Sequence, residues 1–282
     1  MRWLLTAAVF PAGLLLAGAI LAAEPHGRTL VVNPDGTGAY TEIQPAIDDA
    51  KPGDTILIKA GSYREDVVVH SKDSLKLIGE SRDTVSILGL KRVGAFRVGK
   101  WPYGANRIEI RDLTISENGG LAVGIFNGAH ILLSNIRVQG LVYVQQAKDV
   151  RIEQSQLGRS ETTGVSFVDS QGELTGSDVR DNDYGVTVAG RSNVRIADNV
   201  IANSQYEGIV IQKGSMGEVM RNRLINNGEA LPCRTVRTRN SQRTKSSLLL
   251  HDRRMWPRGS DSHQASHARR LKKAIRVNCR VS

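Results

Sequence analysis

The feature that most constrains the fold is a short apolar phrase that returns along the chain about every 22 residues. It has the form apolar-x-polar-x-x-apolar, as in "IADNVI", and its copies are "IRDLTI", "LSNIRV", "IEQSQL", "LTGSDV" and "VMRNRL". The copies begin at Ile110, Leu133, Ile152, Leu174, Ile196 and Val219, so subtraction gives intervals of 23, 19, 22, 22 and 23 residues. Two-residue alternation inside a longer fixed period indicates one supersecondary unit stacked along an axis.

The stacked unit is predicted to be a coil of short strands. No helical segment lies between the phrases, which favours an all-β fold, a parallel β-helix, in which neighbouring coils share one core. Leucine-rich repeats have a similar period but need an L-x-x-L-x-L run, and a β-sandwich would not explain aligned columns. The aliphatic side chains at the first and last positions of the phrase should point inward and form two columns, in which successive coils are about 4.8 Å apart. The middle positions change from Leu113 and Ile136 to Ser155, Ser177, Asn199 and Asn222, which we interpret as a hydrogen-bonded structural ladder.

The N-terminal segment is predicted to direct the chain out of the cytoplasm. One Arg, an apolar stretch from Trp3 to Ala23 and small residues before Glu24 are typical of a secretory signal peptide over residues 1–23. An uncleaved membrane anchor is the alternative, because the apolar stretch is long. Pro11 and Gly13 favour cleavage. We therefore expect a secreted or periplasmic protein that has no membrane contact after cleavage.

The net charge of +10 comes from the C-terminal segment, residues 229–282. This segment holds 14 Lys and Arg against 3 Asp and Glu, whereas the rest of the chain holds 24 against 25. The folded domain, residues 24–228, is therefore not expected to bind nucleic acid. The tail could be a disordered basic arm, or an appendage closed by a disulfide between Cys233 and Cys279. It could also be a sequence translated out of frame after about Gly228. We favour the last reading, because the repeat stops in mid-pattern.

A cap precedes the repeats. The stretch from Thr29 contains a strand, a Gly-rich turn and a short helix in which Thr41 and Gln44 have the spacing of a capping box. The phrases "DGTGAYTEIQPAI", "GDTILIKAGSYREDVVV" and "LKLIGE" resemble the opening of pectin-methylesterase-like and pectate-lyase-like proteins. This resemblance covers about Thr29 to Gly228. It implies a right-handed parallel β-helix with an N-terminal capping helix, and a polysaccharide as partner.

The resemblance does not extend to the catalytic motifs. Pectin methylesterases carry a Gln-Asp pair, an Asp-Phe-Ile-Phe-Gly-like segment and an Arg-x-Trp, and none of these occurs here. The signatures of polygalacturonases and alginate epimerases are missing too. Whether the protein is an enzyme thus stays open. If it is one, we expect a hydrolase or lyase that acts on a polysaccharide.

The turn after the last column is the candidate site, because its copies should stack along one edge. Four such turns occur, "SENGG", "GRSETT", "RDNDY" and "ANSQYE". Their stacking would form an acidic ridge that contains Glu117 together with the predicted site residues. The predicted catalytic carboxylates are Glu161, Asp181 and Asp183. The predicted substrate-binding residues are Arg159, Arg180, Tyr184, Tyr206 and Glu207.

Carboxylates on neighbouring coils, roughly 5 Å apart, would suit an acid–base pair for glycoside hydrolysis. They would equally suit calcium, although no cofactor is required, and turn chemistry alone also explains them. The sequence therefore predicts a monomeric β-helix protein that binds or processes a glycan, and an acidic glycan is one candidate. The alternative is a non-catalytic periplasmic or cell-surface scaffold, or a maturation-type β-helix protein.

Overall fold

The computed structural model describes residues 27–90, 94–100, 102–228 and 274–281. Over these residues the chain forms a right-handed parallel β-solenoid of about eight turns with one helix at its N-terminal end. The first elements are β1 (Thr29–Val32), α1 (Ile43–Asp49), β2 (Thr55–Ile58), β3 (Gly61–Arg64), β4 (Val67–Val69), β5 (Asp73–Gly79), β6 (Val85–Leu88) and β7 (Phe96–Val98). The fold class predicted from the repeat is confirmed.

The remaining strands belong to the regular part of the stack and its C-terminal edge. The middle strands are β8 (Asn106–Arg111), β9 (Thr114–Phe126), β10 (Ala129–Ser134), β11 (Arg137–Gln145), β12 (Lys148–Glu153), β13 (Gln156–Gly158), β14 (Thr163–Val168) and β15 (Gln171–Thr175). The last strands are β16 (Asp178–Arg180), β17 (Tyr184–Ala189), β18 (Asn193–Ala197), β19 (Val200–Ala202), β20 (Ile209–Ile211), β21 (Met216–Ile225) and β22 (Ala274–Val281).

Each turn of the solenoid adds one strand to each of three parallel sheets. Sheet A contains β1, β2, β5, β8, β10, β12, β15, β18 and the first half of β21. Sheet B contains β3, β6, the first parts of β9 and β11, β13, β16, β19 and the second half of β21. Sheet C contains β4, β7, the last parts of β9 and β11, β14, β17 and β20.

The predicted aliphatic columns form the core. In sheet A, Ile152 pairs with Leu174 and Leu174 with Ile196, and in sheet B, Leu157 pairs with Val179. All of the predicted first- and last-column residues are at most 3% exposed. Both columns therefore stay buried from turn to turn, because a side chain that changed face would open the shared core.

The polar ladder predicted at the bend between sheets A and B is also present. The backbone N–H of Ser155 donates to Ser177 Oγ, that of Ser177 to Asn199 Oδ1 and that of Asn199 to Asn222 Oδ1, over 3.2, 2.9 and 2.9 Å. The side chains of all four residues are buried. The ladder satisfies backbone donors that the bend withdraws from the sheets, so these residues are structural.

The cap differs from the prediction in one detail. Helix α1 buries Ile43 and Ile47 on the end of the core, but no side chain at its N-cap, Glu42, accepts a hydrogen bond, so the predicted capping box is wrong. Glu65 replaces it, because its two carboxylate oxygens accept the backbone N–H groups of Ile43 and Gln44 at 2.8 and 2.9 Å. Burial raises the pKa of Glu65, and these two hydrogen bonds oppose that rise only in part.

A buried carboxylate ties the beginning of the solenoid to this cap. Asp54 accepts from the backbone and guanidinium N–H groups of Arg28 at 2.7 to 3.1 Å and from the backbone N–H of Lys51 at 2.9 Å. Burial alone would raise the pKa of Asp54, but the hydrogen bonds from Arg28 and Lys51 outweigh it and hold that pKa below its usual value.

Strand β22 covers the C-terminal edge of the stack. It runs antiparallel to β21, with Gly217 opposite Val281 and Ile225 opposite Ala274. The predicted signal peptide and residues 229–273 of the predicted tail lie outside the described residues, so both domain boundaries stay predictions. Among the described residues, no helix has the length and apolar character needed to cross a bilayer.

Candidate functional site

The predicted site residues lie where each turn passes from sheet B to sheet C. The first residue of this corner has a left-handed backbone in four successive turns, at Arg159, Asp181, Asn203 and Asn226, with φ between 52° and 59°. Asn and Asp tolerate this conformation better than other side-chain-bearing residues. Asn203 Nδ2 donates to Asp181 Oδ1 at 2.8 Å, and Asn226 Nδ2 donates to Asn203 Oδ1 at 3.3 Å. One oxygen of Asp181 is therefore already engaged.

A second row of side chains turns inward and holds the corner in place. The N–H of Ser160 donates to Asn182 Oδ1 and that of Ser204 to Asn227 Oδ1, both at 3.0 Å. Between these two pairs, Asn182 Nδ2 and Ser204 Oγ are buried and have no partner among the described residues. The corner is thus built on a buried row of polar side chains, in which the hydrogen bonds are interrupted between Asn182 and Ser204.

Two of the predicted residues, Tyr184 and Tyr206, are brought together on the sheet C side of the corner. Their ring centroids are 5.1 Å apart with an interplanar angle of 32°. The backbone N–H of Tyr206 donates to the carbonyl of Asp183 at 2.8 Å, which joins the backbones of the two adjacent turns that carry the rings. Tyr206 is 45% exposed. One aromatic surface therefore faces solvent.

The outer face of sheet C beside these tyrosines carries small side chains. Thr187 Oγ1 donates to Ser166 Oγ at 2.9 Å, and both residues alternate with buried neighbours. A second aromatic pair, Phe126 and Tyr143, lies further along this face with ring centroids 6.1 Å apart. The ring of Phe126 lies over Gly124, where a Cβ would be 2.5 Å from it. The face is therefore a shallow strip with an aromatic pair at one end and the tyrosines along one side.

Two of the predicted catalytic carboxylates lie on neighbouring turns. Glu161 follows Ser160, and Asp183 follows Asn182, so Glu161 and Asp183 occupy neighbouring turns about 4.8 Å apart along the stack. Glu161 is exposed, whereas Asp183 and Glu207 are half-buried. Their catalytic and binding roles stay predictions.

Glu117 is a correction to the predicted acidic ridge. It is only 5% exposed, and it lies inside the continuous strand β9 instead of in an exposed turn. Its Oε2 takes the space over Gly89, at 1.9 Å from where a Cβ would stand, and has no hydrogen-bond partner among the described residues. Glycine on the adjacent coil admits the carboxylate to the interior, so Glu117 is absent from the surface.

The other predicted residues face the opposite side of the corner. Arg159, Arg180 and Asp181 line a groove of about 300 Å³ on the outer face of sheet B. The groove also contains Arg137, Gln139, Gln156 and Asp178, which sequence reasoning missed. The sequence feature that could have revealed them is their place at the outward-facing positions of "IRVQG", "SQLG" and "SDVR". Throughout the part of the chain that the structure describes, no group of three or more His, Cys, Asp or Glu residues could hold a metal ion.

Comparison with known proteins agrees with this architecture. The family model described as "Right handed beta helix region" matches residues 101–244, just over half of the chain. A search of curated proteins gives no match. Among solved structures, the chain is similar to a pectin methylesterase from carrot, at 16% identity and a TM-score of 0.47, with 74% of this chain and 86% of that chain covered.

The chain is similar to two further solved structures. One is the A-module of a mannuronan C-5 epimerase from Azotobacter vinelandii, at 18% identity and a TM-score of 0.46, with 60% of this chain and 62% of that chain covered. The other is a pectin methylesterase from Erwinia chrysanthemi, at 14% identity and a TM-score of 0.41, with 67% and 81% covered. At these identities the likeness concerns the fold alone.

Proposed function

The chain belongs to the right-handed β-helix family, and from that premise we propose that it is a secreted or periplasmic protein that binds a polysaccharide. The binding surface is the corner between sheets B and C together with the adjoining strip of sheet C. The observation that carries the proposal is the pair of Tyr184 and Tyr206, whose ring centroids are 5.1 Å apart and of which Tyr206 is 45% exposed.

A tyrosine pair with one exposed ring suits a sugar ring. The apolar face of a pyranose packs on an aromatic ring, while the phenolic hydroxyl keeps contact with water or with a sugar hydroxyl. The ring of Tyr206 already lies against that of Tyr184, so less side-chain freedom would be lost on binding than for an isolated tyrosine. Ser166 and Thr187 offer hydroxyl groups along the neighbouring strip.

The extended shape of the surface favours a polymer over a small ligand. The strip continues from the tyrosines across several turns to Phe126 and Tyr143. At about 4.8 Å per turn, such a surface has room for more than one sugar unit. We propose binding as the basic activity, because the catalytic motifs of the enzymes that the sequence resembles do not occur in this chain.

The test is a pair of substitutions that separates the ring from the hydroxyl. Affinity gel electrophoresis with polygalacturonate, alginate and a neutral glucan would measure retardation of the full chain. We expect Tyr206→Ala to weaken binding about tenfold, as loss of one stacking contact of ~1.4 kcal/mol implies. Tyr206→Phe keeps the ring and serves as the matched control, with binding close to that of the original chain.

Two results would contradict the proposal. Retardation by none of the polysaccharides would favour the alternative of a scaffold, which would then capture a protein in pull-down experiments. Retardation that is equal for the original chain and for Tyr206→Ala would show that the glycan lies elsewhere on the solenoid.

A further inference from the structure

The groove on the outer face of sheet B is a built depression. Arg137 pairs with Gln156 and Gln156 with Asp178 along one outward column. Along the next column, Gly158 stands between Gln139 and Arg180. The long side chains on either side and the missing one in the middle leave the groove of about 300 Å³.

Backbone contact fixes the glycine at the floor. A Cβ on Gly158 would stand 1.9 Å from the carbonyl oxygen of Arg180. Real Cβ atoms do not approach an oxygen so closely, and backbone cannot move aside as a side chain can. The depression over Gly158 is therefore a consequence of how adjacent turns pack.

Three guanidinium groups surround this floor, and they differ in their partners. Arg137 donates to Asp83 Oδ1 at 2.7 Å and to Gln156 Oε1 at 3.0 Å. Arg180 is paired with Asp178. Arg159 is exposed, and its side chain has no hydrogen bond or ion pair with any residue in the described ranges. Arg159 is thus the cation available to an incoming ligand.

The paired arginines keep donors to spare. A guanidinium carries five N–H groups, and one carboxylate occupies at most two of them. Gln139 and Gln156 add amide groups that can serve as donors or acceptors for hydroxyls. The competing carboxylates are Asp178, which is committed to Arg180, and Asp181, one oxygen of which is committed to Asn203.

We infer that the groove over Gly158 binds a carboxylate or sulfate substituent of the glycan, with Arg159 as its principal ligand, so that the polysaccharide is an acidic one. This inference rests on the proposed function, because it names the substrate class of the same corner. Asp181 on the groove side and Tyr184 on the sheet C side are three residues apart, so one chain can cross the corner and reach both surfaces. The anionic substituent sets selectivity, and the tyrosines hold the sugar ring.

The experiment compares matched ligands on the full chain. Isothermal titration would measure the affinity for oligogalacturonate, for the same oligosaccharide fully methyl-esterified, and for inorganic sulfate, at low salt and at about 0.15 M salt. We expect the free acid to bind at least tenfold more tightly than the ester, and that preference to shrink as salt rises. Arg159→Gln should lower the affinity for the acid about fivefold to tenfold and leave the ester unchanged.

Arg191→Gln is the matched control, because Arg191 is an exposed arginine in the turn between β17 and β18, on another edge of the solenoid. It should bind both ligands like the original chain. Equal affinity for acid and ester, or equal effects of the two substitutions, would overturn this inference while leaving the proposed function in place. Sulfate binding as tight as that of the oligosaccharide would also overturn it, by showing a general anion site. Failure of both oligosaccharides and of every polysaccharide in the gel assay would overturn the proposed function as well.

Discussion

Removal of the Asn199 side chain should weaken the solenoid strongly, although this residue touches no candidate ligand surface. Asn199 is 1% exposed and belongs to the ladder at the bend between sheets A and B. Its Oδ1 accepts the N–H of Ser177 at 2.9 Å, and its Nδ2 donates to the carbonyl of Leu174 at 2.8 Å and to Asn222 Oδ1 at 2.9 Å.

The magnitude follows from the groups left behind in Asn199→Ala. The buried N–H of Ser177 loses its acceptor, at a cost of about 1–3 kcal/mol for an unsatisfied donor. The carbonyl of Leu174 and the amide of Asn222 each lose one hydrogen bond, worth ~0.5–1.5 kcal/mol apiece. A water molecule in the vacated space would recover part of this. We expect a loss of about 3 kcal/mol in the free energy of unfolding.

Urea unfolding followed by circular dichroism would measure this loss. The matched control is Asn193→Ala, since Asn193 is exposed and its side chain has no hydrogen bond in the described ranges. Its effect should stay within about 0.5 kcal/mol. A loss below ~1 kcal/mol for Asn199→Ala, or one equal to that of the control, would refute the view that the ladder stabilises the stack.

Three further predictions concern other parts of the molecule. Because the pKa of Asp54 is lowered in the fold, its carboxylate stabilises the protein above the unfolded pKa, near 3.8, and this stabilisation is lost as the pH falls through the lowered pKa. Thermal unfolding should show Asp54→Asn to be about 2 kcal/mol less stable than the original chain at pH 7. The difference in stability between the two proteins should narrow by about pH 2–3. Gly185→Ala should cost about 2 kcal/mol in urea unfolding, since its Cβ would lie 2.3 Å from the carbonyl of Gly208, and an unchanged midpoint would contradict this. The catalytic hypothesis predicts that Asp181→Asn combined with Asp183→Asn abolishes any measured glycan cleavage while circular dichroism stays unchanged, and persistent cleavage would disprove it.

The inward positions of the fold could be predicted from the sequence because they must agree with one another. Leu174 packs between its equivalents Ile152 and Ile196, so each turn selects aliphatic residues in the next. Asn199 and Asn222 repeat for the same reason, since each satisfies the backbone of the preceding turn. A column that is internal and continuous therefore leaves a period in the sequence.

The details that sequence reasoning missed depend on contacts between turns with no such period. The carboxylate of Glu65, one coil downstream, occupies the helix N-terminus, and local spacing around Thr41 cannot reveal it. Glu117 resembles a turn residue, yet glycine at position 89 of the preceding coil opens space for its burial.

Only some residues of the candidate site could be predicted from the sequence, for a related reason. Outward side chains are free to vary, so nothing in the sequence distinguishes Arg137 or Gln139 from any other surface residue. The corner residues Tyr184 and Tyr206 were found because their turns are aligned by the core. The division of that corner into a tyrosine side and an arginine side depends on the direction in which each side chain leaves the backbone.

The regular spacing of the ladder means that the length of this molecule can be edited in whole turns. Leu174 and Ile196 hold equivalent places 22 residues apart, so excision of residues 174–195 would join Glu173 to Ile196 and leave every remaining side chain on its original face. The product would be shorter by about 4.8 Å, which small-angle X-ray scattering together with its circular dichroism spectrum can examine. Excision of 21 or 23 residues at the same place would instead shift the alternation and expose the core. The length of the solenoid can thus change only by complete turns if the same side chains are to face the core.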